Sequence, residues 1–181
     1  SLQPLALLAQ QDSLFLFDSY YNQFYFSAYG GLDWQSRPLP VAGALSDVVV
    51  QQGQWYFATS EGMYRAASPT AAWTPVYRYQ DCFDPGVQQL YTPENNGLPW
   101  LSGAGSALLR PADPQGAQWS DFSTGLPGEG TRSFKAVGDT LYSPIFQSAD
   151  GLHWQPMRSP GLRGAGWMDA RGMTMHQGHL F

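Results

Sequence analysis

The sequence is poor in cysteine, histidine, lysine and charge. Its 181 residues include one cysteine, Cys82, three histidines and one lysine, Lys135, and charged residues make up only 13% of the chain, about half the share usual for a soluble domain. A single cysteine excludes a disulfide within the chain. The net charge is −5 and no run of Lys or Arg occurs, so nucleic-acid binding lacks its main electrostatic driving force.

Long apolar runs are also absent. No stretch approaches the roughly 18 apolar residues that cross a bilayer, so we expect no membrane span. The opening SLQPLALLAQ lacks the basic residues of an intact signal peptide and fits the front of a mature chain.

No residue pattern predicts a metal or cofactor site. Asp81–Gly86 offers two carboxylates without the alternating spacing of a calcium loop, which favours a solvated turn. His176 and His179 lie at a predicted strand turn, so they lack the helical i, i+4 geometry of paired zinc ligands. We expect no metal, no cofactor, and an ordinary, partly buried thiol at Cys82.

Aromatic residues and turn formers are abundant. Aromatics make up 15% of the chain, beside 20 glycines and 14 prolines, a mixture that favours many short strands over long helices. Four tryptophans follow turn-like segments at intervals of 39, 46 and 35 residues; they are Trp34, Trp73, Trp119 and Trp154. A recurrence near 40 residues is typical of propellers, solenoids and arrays.

The second repeat is the clearest and predicts four short strands: Ser46–Val50, Gln54–Thr59, Met63–Ala67 and Trp73–Arg78. The first repeat offers the same slots at Leu5–Ala9, Ser13–Phe17, Phe24–Ser27 and Trp34–Leu39. The third offers them at Val87–Tyr91, Pro99–Ser102, Ala107–Arg110 and Trp119–Phe122, and the fourth at Phe134–Val137, Thr140–Tyr142, Ile145–Ser148 and Trp154–Arg158. Four short strands in about forty residues describe one propeller blade.

We therefore predict an all-β fold, a small β-propeller of about five four-stranded blades in one domain over residues 1–181. The repeats lie at about 1–40, 41–79, 80–127 and 128–160, with a partial fifth at 161–181. The fifth has only two strand slots, and we expect it to be completed across the termini, with Met173–Met175 beside Ser1–Leu5, because an open ring leaves strand edges unpaired. The alternatives are closure by self-association and a chain that is a fragment of a larger ring.

The fourth repeat is irregular. Only four residues separate Tyr142 from Phe146, where the second repeat has eight from Tyr56 to Tyr64. With Pro144 in that space we do not expect a comfortable strand turn. The blade is then either degenerate or short of residues.

Segments around the tryptophans resemble a known repeat. SADGLHW, residues 148–154, resembles the Asp-box, or BNR repeat, in its short S-x-D-G-x-x-W form. SAYGGLDW, residues 27–34, matches the longer S-x-D-x-G-x-T-W spacing with Tyr29 in the Asp position and Asp33 in the Thr position. The boxes ending at Trp73 and Trp119 are more degenerate, with Asp113 standing in for the Asp of the latter. The chain thus resembles Asp-box propellers, a group with sialidase-like, sortilin-like and photosystem-assembly-factor-like members.

The resemblance implies a structural role for the boxes. In that family they lie on the hairpin between the third and fourth strands of a blade, away from the central site. The box residues to which it assigns this role are Ser148, Asp150, Gly151, Trp154, Trp34, Trp73 and Trp119. An Asp can accept backbone N–H bonds in the turn, Gly can supply a positive φ, and Trp packs between sheets.

Sialidase relatives raise glycoside hydrolysis as an alternative. Such a site needs converging arginines and paired acidic groups, but Arg65, Arg110 and Arg158 fall at equivalent places on outer strands, which favours solvation. The three glutamates lie in turns beside Gly or Asn, and the R-I-P motif of sialidases is absent. We therefore predict no catalytic residues.

An aromatic cluster offers the best ligand-binding candidates. Along Phe24–Phe26, alternation sends the two phenylalanines to one face of a strand and Tyr25 to the other. The residues that suit sugar stacking or a protein interface are Tyr20, Tyr21, Tyr29 and Trp100. Our leading hypothesis is a non-catalytic binding or scaffold module that recognises a protein or glycan outside the cytosol, secreted, periplasmic or at a cell surface. A lectin-like carbohydrate binder is the alternative, and inter-blade packing would also explain the aromatics.

Overall fold

The computed structural model describes residues 4–19, 21–40, 43–78, 87–92, 97–103, 108–121, 135–137, 140–143, 146–150, 153–157, 175–176 and 179–180. Every regular element in these residues is a β-strand, as the short apolar runs between Gly/Pro turns predict. No helix among them is long and apolar enough to cross a membrane. The chain divides into two compact units, Ser1–Leu90 and Tyr91–Phe181, and a single domain over residues 1–181 stays a prediction.

The strands form four four-stranded sheets, each in sequential order and antiparallel. Sheet 1 contains β1 (Pro4–Gln10), β2 (Ser13–Asp18), β3 (Gln23–Ser27) and β4 (Gln35–Pro38). Sheet 2 contains β5 (Leu45–Gln51), β6 (Gln54–Thr59), β7 (Gly62–Ala66) and β8 (Thr74–Arg78). Sheet 3 contains β9 (Val87–Tyr91), β10 (Trp100–Gly103), β11 (Leu108–Pro111) and β12 (Trp119–Asp121). Sheet 4 contains β13 (Lys135–Val137), β14 (Thr140–Tyr142), β15 (Phe146–Ser148) and β16 (Gln155–Pro156).

A two-stranded sheet follows, formed by β17 (Met175–His176) and β18 (His179–Leu180). Four full repeats and a partial fifth were predicted, and the described strands follow that pattern. In sheet 2 every strand end lies within one residue of its predicted position. Closure across the termini stays a prediction, because residues 1–3 and 171–174 lie outside the described residues.

The turn between β14 and β15 corrects the expectation of a repeat too short to turn. Leu141 pairs with Ser148 and Tyr142 with Gln147, so the two strands are in regular antiparallel register. The Ser143 backbone N–H donates to the Phe146 carbonyl at 2.8 Å, which closes a tight turn. The pair succeeds because β14 ends at Tyr142, earlier than the second strand of sheet 2, and needs less chain to reverse.

Aromatic side chains fill the core between sheets 1 and 2. Trp55 and Phe57 of β6 are fully buried, as are Phe17 and Phe24 of sheet 1. The Trp55 indole N–H donates to Gln10 Oε1 at 2.8 Å and so satisfies its polar atom inside the core. Burial of a large apolar side chain stabilises a protein by about 1.5–3 kcal/mol, so this cluster is a major source of stability in Ser1–Leu90.

The predicted alternation in β3 holds. Phe24 is buried, and Phe24 and Phe26 both contact Phe15, with ring centroids 6.5 and 5.7 Å apart. Phe26 also packs against the shared core. Pairs of this kind add to area burial through favourable ring geometry.

The core described within Tyr91–Phe181 is smaller. Tyr91, Leu108 and Leu141 are buried together, and Trp100 and Trp154 pack against them while remaining partly exposed. Tryptophans at the margin of this cluster can therefore present one ring surface outward.

Candidate functional site

The hairpins between third and fourth strands share one construction, in which a side-chain oxygen accepts backbone N–H groups of the turn. In sheet 1 Ser27 Oγ accepts from Gly31 at 2.9 Å and from Tyr29 at 3.4 Å. In sheet 2 Ser68 Oγ accepts from Ala71 at 3.1 Å. These bonds satisfy turn N–H groups that would otherwise depend on water.

Carboxylates accept the turn N–H groups in the other two sheets, each from the second residue after the third strand, where Ser68 also lies in sheet 2. Asp113 Oδ1 accepts from Gln115 at 2.9 Å and from Ala117 at 3.2 Å, and its Oδ2 accepts from Gln118 at 2.7 Å. In sheet 4 Asp150 Oδ1 accepts from the His153 N–H at 2.8 Å.

The tryptophan that ends each turn is bonded back to it in three sheets. The indole N–H of Trp34 donates to the Gly31 carbonyl at 2.9 Å, and that of Trp119 donates to the Gly116 carbonyl at 2.9 Å. Trp73 donates to Pro69 at 3.2 Å. Trp154 follows the turn in sheet 4, where Ser148 Oγ donates to Asp150 Oδ1 at 3.0 Å. Gly151 lies outside the described residues.

Tyr29, predicted in the Asp position of the sheet 1 segment, lies two residues after the end of its third strand, as Asp113 and Asp150 do in sheets 3 and 4. Tyr29 carries no carboxylate, and the acceptor in this turn is Ser27, the serine of the same segment, at the end of β3. Asp113, predicted as a stand-in, does accept turn N–H groups.

Turn length differs among the four hairpins. From the end of the third strand to the tryptophan there are seven residues in sheets 1 and 2, eight in sheet 3 and six in sheet 4. These steps run from Ser27 to Trp34, Ala66 to Trp73, Pro111 to Trp119 and Ser148 to Trp154. Between paired residues of the third and fourth strands, sheet 3 has one residue more than sheets 1 and 2, from Arg110 to Ser120 against Phe26 to Gln35 and Arg65 to Thr74.

A row of three residues crosses strands two, three and four at the same level of every sheet. Sheet 1 has Phe15, Phe26 and Gln35, sheet 2 has Tyr56, Arg65 and Thr74, and sheet 4 has Tyr142, Gln147 and Gln155. In sheet 3 Arg110 pairs with Ser120, and one further step of the β10–β11 register places Trp100 opposite Arg110. Directly opposed residues share a sheet face. In each row an aromatic residue of the second strand therefore shares a face with the residues opposite it on the third and fourth strands.

A cleft of about 430 Å³ lies over this row in sheet 3. The row supplies Trp100, Arg110 and Ser120, and the long turn adds Pro111, Asp113 and Pro114, while Leu98 completes the apolar wall. Trp100 and Arg110 are partly buried. The volume falls within the range of small-ligand sites, about 300–1,000 Å³.

The electrostatics of the cleft are set by Arg110 and Asp113. The N–H of Gln118, with those of Ala117 and Gln115, holds the pKa of Asp113 below its usual range, against a weaker opposing effect of burial. Asp113 is thus a stable anion whose oxygens are turned toward backbone dipoles. Arg110, which lines the cleft with Trp100, supplies its positive charge.

Of the four predicted ligand residues, three are described: Tyr21 and Tyr29, which lie at opposite ends of one strand, and Trp100. Tyr20 lies outside the described residues. Tyr21 is 50% exposed in the turn before β3 and Tyr29 is 73% exposed in the turn after it, so a five-residue strand, about 16 Å long, separates them. Trp100 lines the cleft. The sequence analysis did not predict Arg110 and Ser120 as residues that line the same cleft. The aromatic residue that recurs on the second strand of each sheet was the signal that could have located this row.

The described carboxylates serve turns and strand contacts. Those that accept backbone N–H groups are Asp18, Asp47, Asp113 and Asp150, and those exposed on turns are Asp12, Asp33 and Glu61. Asp47 has both of its oxygens engaged: Oδ1 accepts from Val48 at 2.8 Å and Oδ2 from Leu90 at 2.7 Å. Burial raises its pKa, while the N–H groups of Leu90 and Val48 act against that rise.

Metal ligands are not brought together in the described part of the chain, where no three His, Cys, Asp or Glu side chains cluster. Asp81–Gly86, the turn weighed as a calcium loop, lies outside the described residues together with Cys82. Arg158, weighed for glycoside hydrolysis, lies outside them as well. His176 and His179 pair across the short β17–β18 ladder.

Two solved structures that resemble this chain are β-propellers. An ancestral GH74 enzyme aligns with a TM-score of 0.60 and 14% identity over 87% of this chain and 24% of that one. YCF48 bound to D1 peptide aligns with a TM-score of 0.59 and 16% identity over 86% of this chain and 53% of that one. The chain thus spans about a quarter and about half of the two proteins. The predicted all-β propeller fold is confirmed.

Comparison by sequence adds no relative: no protein-family model and no curated protein matches the chain.

Proposed function

We propose that the chain is a non-catalytic propeller module of the Asp-box type that recognises a protein segment and works outside the cytosol. The observation that carries this proposal is the cleft on sheet 3, where Trp100 and Arg110 lie side by side above an apolar wall. Aromatic and arginine side chains are the residues most enriched where proteins bind proteins.

The use of carboxylates favours binding over catalysis. Glycoside hydrolysis needs two carboxyl groups held about 5–9.5 Å apart across a scissile bond. Asp113, the acidic residue of the cleft, has both oxygens engaged by backbone N–H groups and a lowered pKa, which suits a structural anion and not a proton donor. The likeness to a GH74 enzyme keeps hydrolysis as the alternative, and it concerns a protein of which this chain spans 24%.

A peptide is the ligand class that we favour. YCF48, which shares the fold, is seen with D1 peptide bound, so a protein of this fold can bind a peptide. A cleft of about 430 Å³ accepts one or two side chains rather than a folded domain.

The test is selection of a random phage-displayed peptide library against the whole chain, followed by calorimetry with synthetic copies of the enriched peptides. We expect Trp100→Ala to weaken binding by about tenfold or more, as for a central interface aromatic. Trp34→Ala controls for the loss of a tryptophan, since Trp34 is 40% exposed in the turn between the third and fourth strands of sheet 1, and it should bind as the wild type does. Failure to enrich any peptide would overturn the proposal.

A carbohydrate ligand is the second candidate, favoured by the 73% exposure of Tyr29. A glycan array separates the two, with Tyr29→Ala and Tyr21→Ala as variants. Glycan binding lost in these variants would place a lectin site on sheet 1. Turnover of a fluorogenic sialoside would instead establish an enzyme, and we expect none.

A further inference from the structure

We infer that the outer face of sheet 1 is an interface between two copies of this chain. The outer face is the side of sheet 1 that points away from sheet 2, and its residues on the first three strands are Leu7, Ala9, Leu14, Leu16 and Tyr25. The inference is independent of the proposed function. It follows from the repeat, because the equivalent face of sheet 2 is buried under sheet 1.

Strand pairing assigns these residues to one face. Across β1, β2 and β3 they pair with one another: Leu7 with Leu16, Ala9 with Leu14, and Leu16 with Tyr25. Directly opposed residues share a sheet face, and successive residues of a strand alternate between faces. The intervening residues Leu8, Phe15 and Phe26 pack in the core shared with sheet 2. The outer face is therefore the side of sheet 1 that this core does not use.

Sheet 2 shows what such a face does in this fold. The β1–β2 and β5–β6 hairpins have the same two-residue turn, so their positions correspond one to one. The residues of sheet 2 that correspond to the outer face are Val48, Val50, Trp55, Phe57 and Tyr64. The first four belong to the core shared with sheet 1. The outer face thus occupies the position at which one repeat packs against the sheet of another.

The outer face is open to solvent. Leu7 is 62% exposed, whereas Val48, at the same place in sheet 2, is 3% exposed. Trp34 extends the face from the adjoining turn: a Cβ at Gly31 would lie 3.5 Å from Leu14 Cδ1 and 3.7 Å from Trp34 Cζ2. In the described part of the chain, the large apolar side chains that are exposed all lie in sheet 1 or its turns: Leu7, Tyr21, Tyr29, Leu32 and Trp34. An exposed apolar patch of this kind marks an interaction site.

A second copy fits this face because no exposed charge lies on it. The charged side chains of residues 4–40 are Asp12, Asp18, Asp33 and Arg37. Asp18 is fully buried and accepts a backbone N–H of its own turn. Arg37 lies opposite Phe24, on the side that faces the core, and the other two aspartates lie in turns. Two outer faces can therefore meet without burying an unpaired charge, which would be strongly destabilising.

Symmetry specifies the arrangement of the two copies. A twofold axis brings the same patch of both copies together, and such dimers are the commonest closed oligomers. Asp12 and Asp33 lie at the end of sheet 1 where β1 connects to β2 and β3 to β4, so an axis that runs across the strands keeps the acidic ends apart. The face measures roughly 20 by 20 Å from strand length and spacing. This is small for a protein interface, and we expect a weak dimer that dissociates on dilution.

The test is sedimentation velocity of the whole chain from low micromolar to near-millimolar concentration, where we expect a reversible equilibrium between monomer and dimer. Leu7→Asp should weaken dimerisation by at least about a hundredfold, because each copy would bury an unpaired carboxylate. Gln35→Asp is the matched control. It adds the same charge at an exposed position of sheet 1, but Gln35 lies opposite Phe26 on the side that faces the core, so dimerisation should be unchanged.

Thermal unfolding at a concentration where the wild type is monomeric reports whether each variant keeps its fold. Leu7→Asp should unfold there as the wild type does, since Leu7 is largely exposed. Leu7→Ser removes the apolar contact without adding a charge and should weaken the dimer by about tenfold. This second variant decides the question if Leu7→Asp does not fold.

Each of four results would overturn the inference. A wild-type chain that stays monomeric at every concentration would show that a second copy does not cover the face. Assembly beyond two copies would show a head-to-tail contact between unlike surfaces. Dimerisation that both changes at Leu7 leave intact would place the interface elsewhere. A lower unfolding temperature of the Leu7→Asp monomer would show that the same chain covers the face.

Discussion

Sheets 2 and 3 each have an aromatic residue, an arginine and a hydroxyl residue opposite one another on strands two, three and four. The two rows differ in how these side chains are buried. In sheet 2 Tyr56 is buried, Arg65 projects into solvent, and Trp73 stacks on Phe57 with ring centroids 3.4 Å apart. In sheet 3 Trp100 and Arg110 are both partly buried and line an open cleft.

The difference lies in the turn and in the core beneath it. The sheet 2 turn has one residue fewer, and its tryptophan packs down onto a fully buried phenylalanine. The sheet 3 turn is longer and is held by the three N–H bonds to Asp113. One hairpin design thus supports tight packing in one repeat and a ligand-sized space in another.

Phe57→Ala tests the tight packing of sheet 2 and has the largest expected effect. Phe57 is fully buried, contacts Trp55 and Phe17, and supports Trp73, so we expect a loss of about 3–5 kcal/mol in the free energy of unfolding. Urea titration measures it. Leu32→Ala is the control, because Leu32 is 91% exposed and should change stability by less than about 0.5 kcal/mol. Similar effects of the two changes would show that sheet 2 is not tightly packed.

Asp47→Asn tests how sheet 2 holds the strand that follows it. Asp47 accepts N–H groups with both oxygens, from Val48 and from Leu90 of β9, and an amide can accept with only one. The N–H that loses its acceptor should cost about 1–3 kcal/mol at neutral pH. Asp12→Asn, on an exposed turn, should cost little.

The same variant has a predictable pH dependence. Burial raises the pKa of Asp47 above the ordinary value of 3.8, so the folded protein holds this proton more tightly than the unfolded chain. The resulting stabilisation is complete below pH 3.8 and is lost as the pH rises through the raised pKa. The advantage of wild type over Asp47→Asn should therefore be larger in acid than at pH 7. An advantage that grows toward neutral pH would contradict the assignment.

Asp113→Asn should have the smallest effect on global stability and the most local one. The Gln118 N–H loses its carboxylate partner, so its resonance should move and its exchange with solvent should accelerate. Because the pKa of Asp113 is held below 3.8, the wild-type bond should persist above that pH and be lost as the pH falls through the lowered value. Ser68→Ala in sheet 2 should affect the Ala71 N–H alone. A Gln118 resonance insensitive to acid would contradict this account.

Much of the fold is readable from the sequence because its signals are local. Each tryptophan ends a turn and begins a fourth strand, so the rhythm locates every hairpin, and alternation in β3 identifies Phe24 and Phe26 as core-facing. The bounds of β14, Thr140–Tyr142, were predicted from the sequence, but its regular pairing with β15 was not, because the spacing was judged against the longer second strand of sheet 2.

The site is less readable because its residues meet through register. Trp100 and Arg110 are ten residues apart and become neighbours only when β10 pairs with β11 in one register. Sequence position placed Arg110 on an outer strand and indicated solvation, whereas the longer turn covers it in part. The sequence signal that could have indicated this row is the aromatic residue that recurs on the second strand of each sheet, Phe15, Tyr56, Trp100 and Tyr142.

The self-bonded turns have a consequence for how such a chain can change over generations. Each one closes on its own oxygen acceptor and, in sheets 1, 2 and 3, on its own indole, so these bonds lie within the hairpin itself. Lengths of six, seven and eight residues coexist above regular ladders. Insertions and deletions at these tips are therefore cheap, and exchange of one tip for another is a practical route to new specificities on an unchanged scaffold.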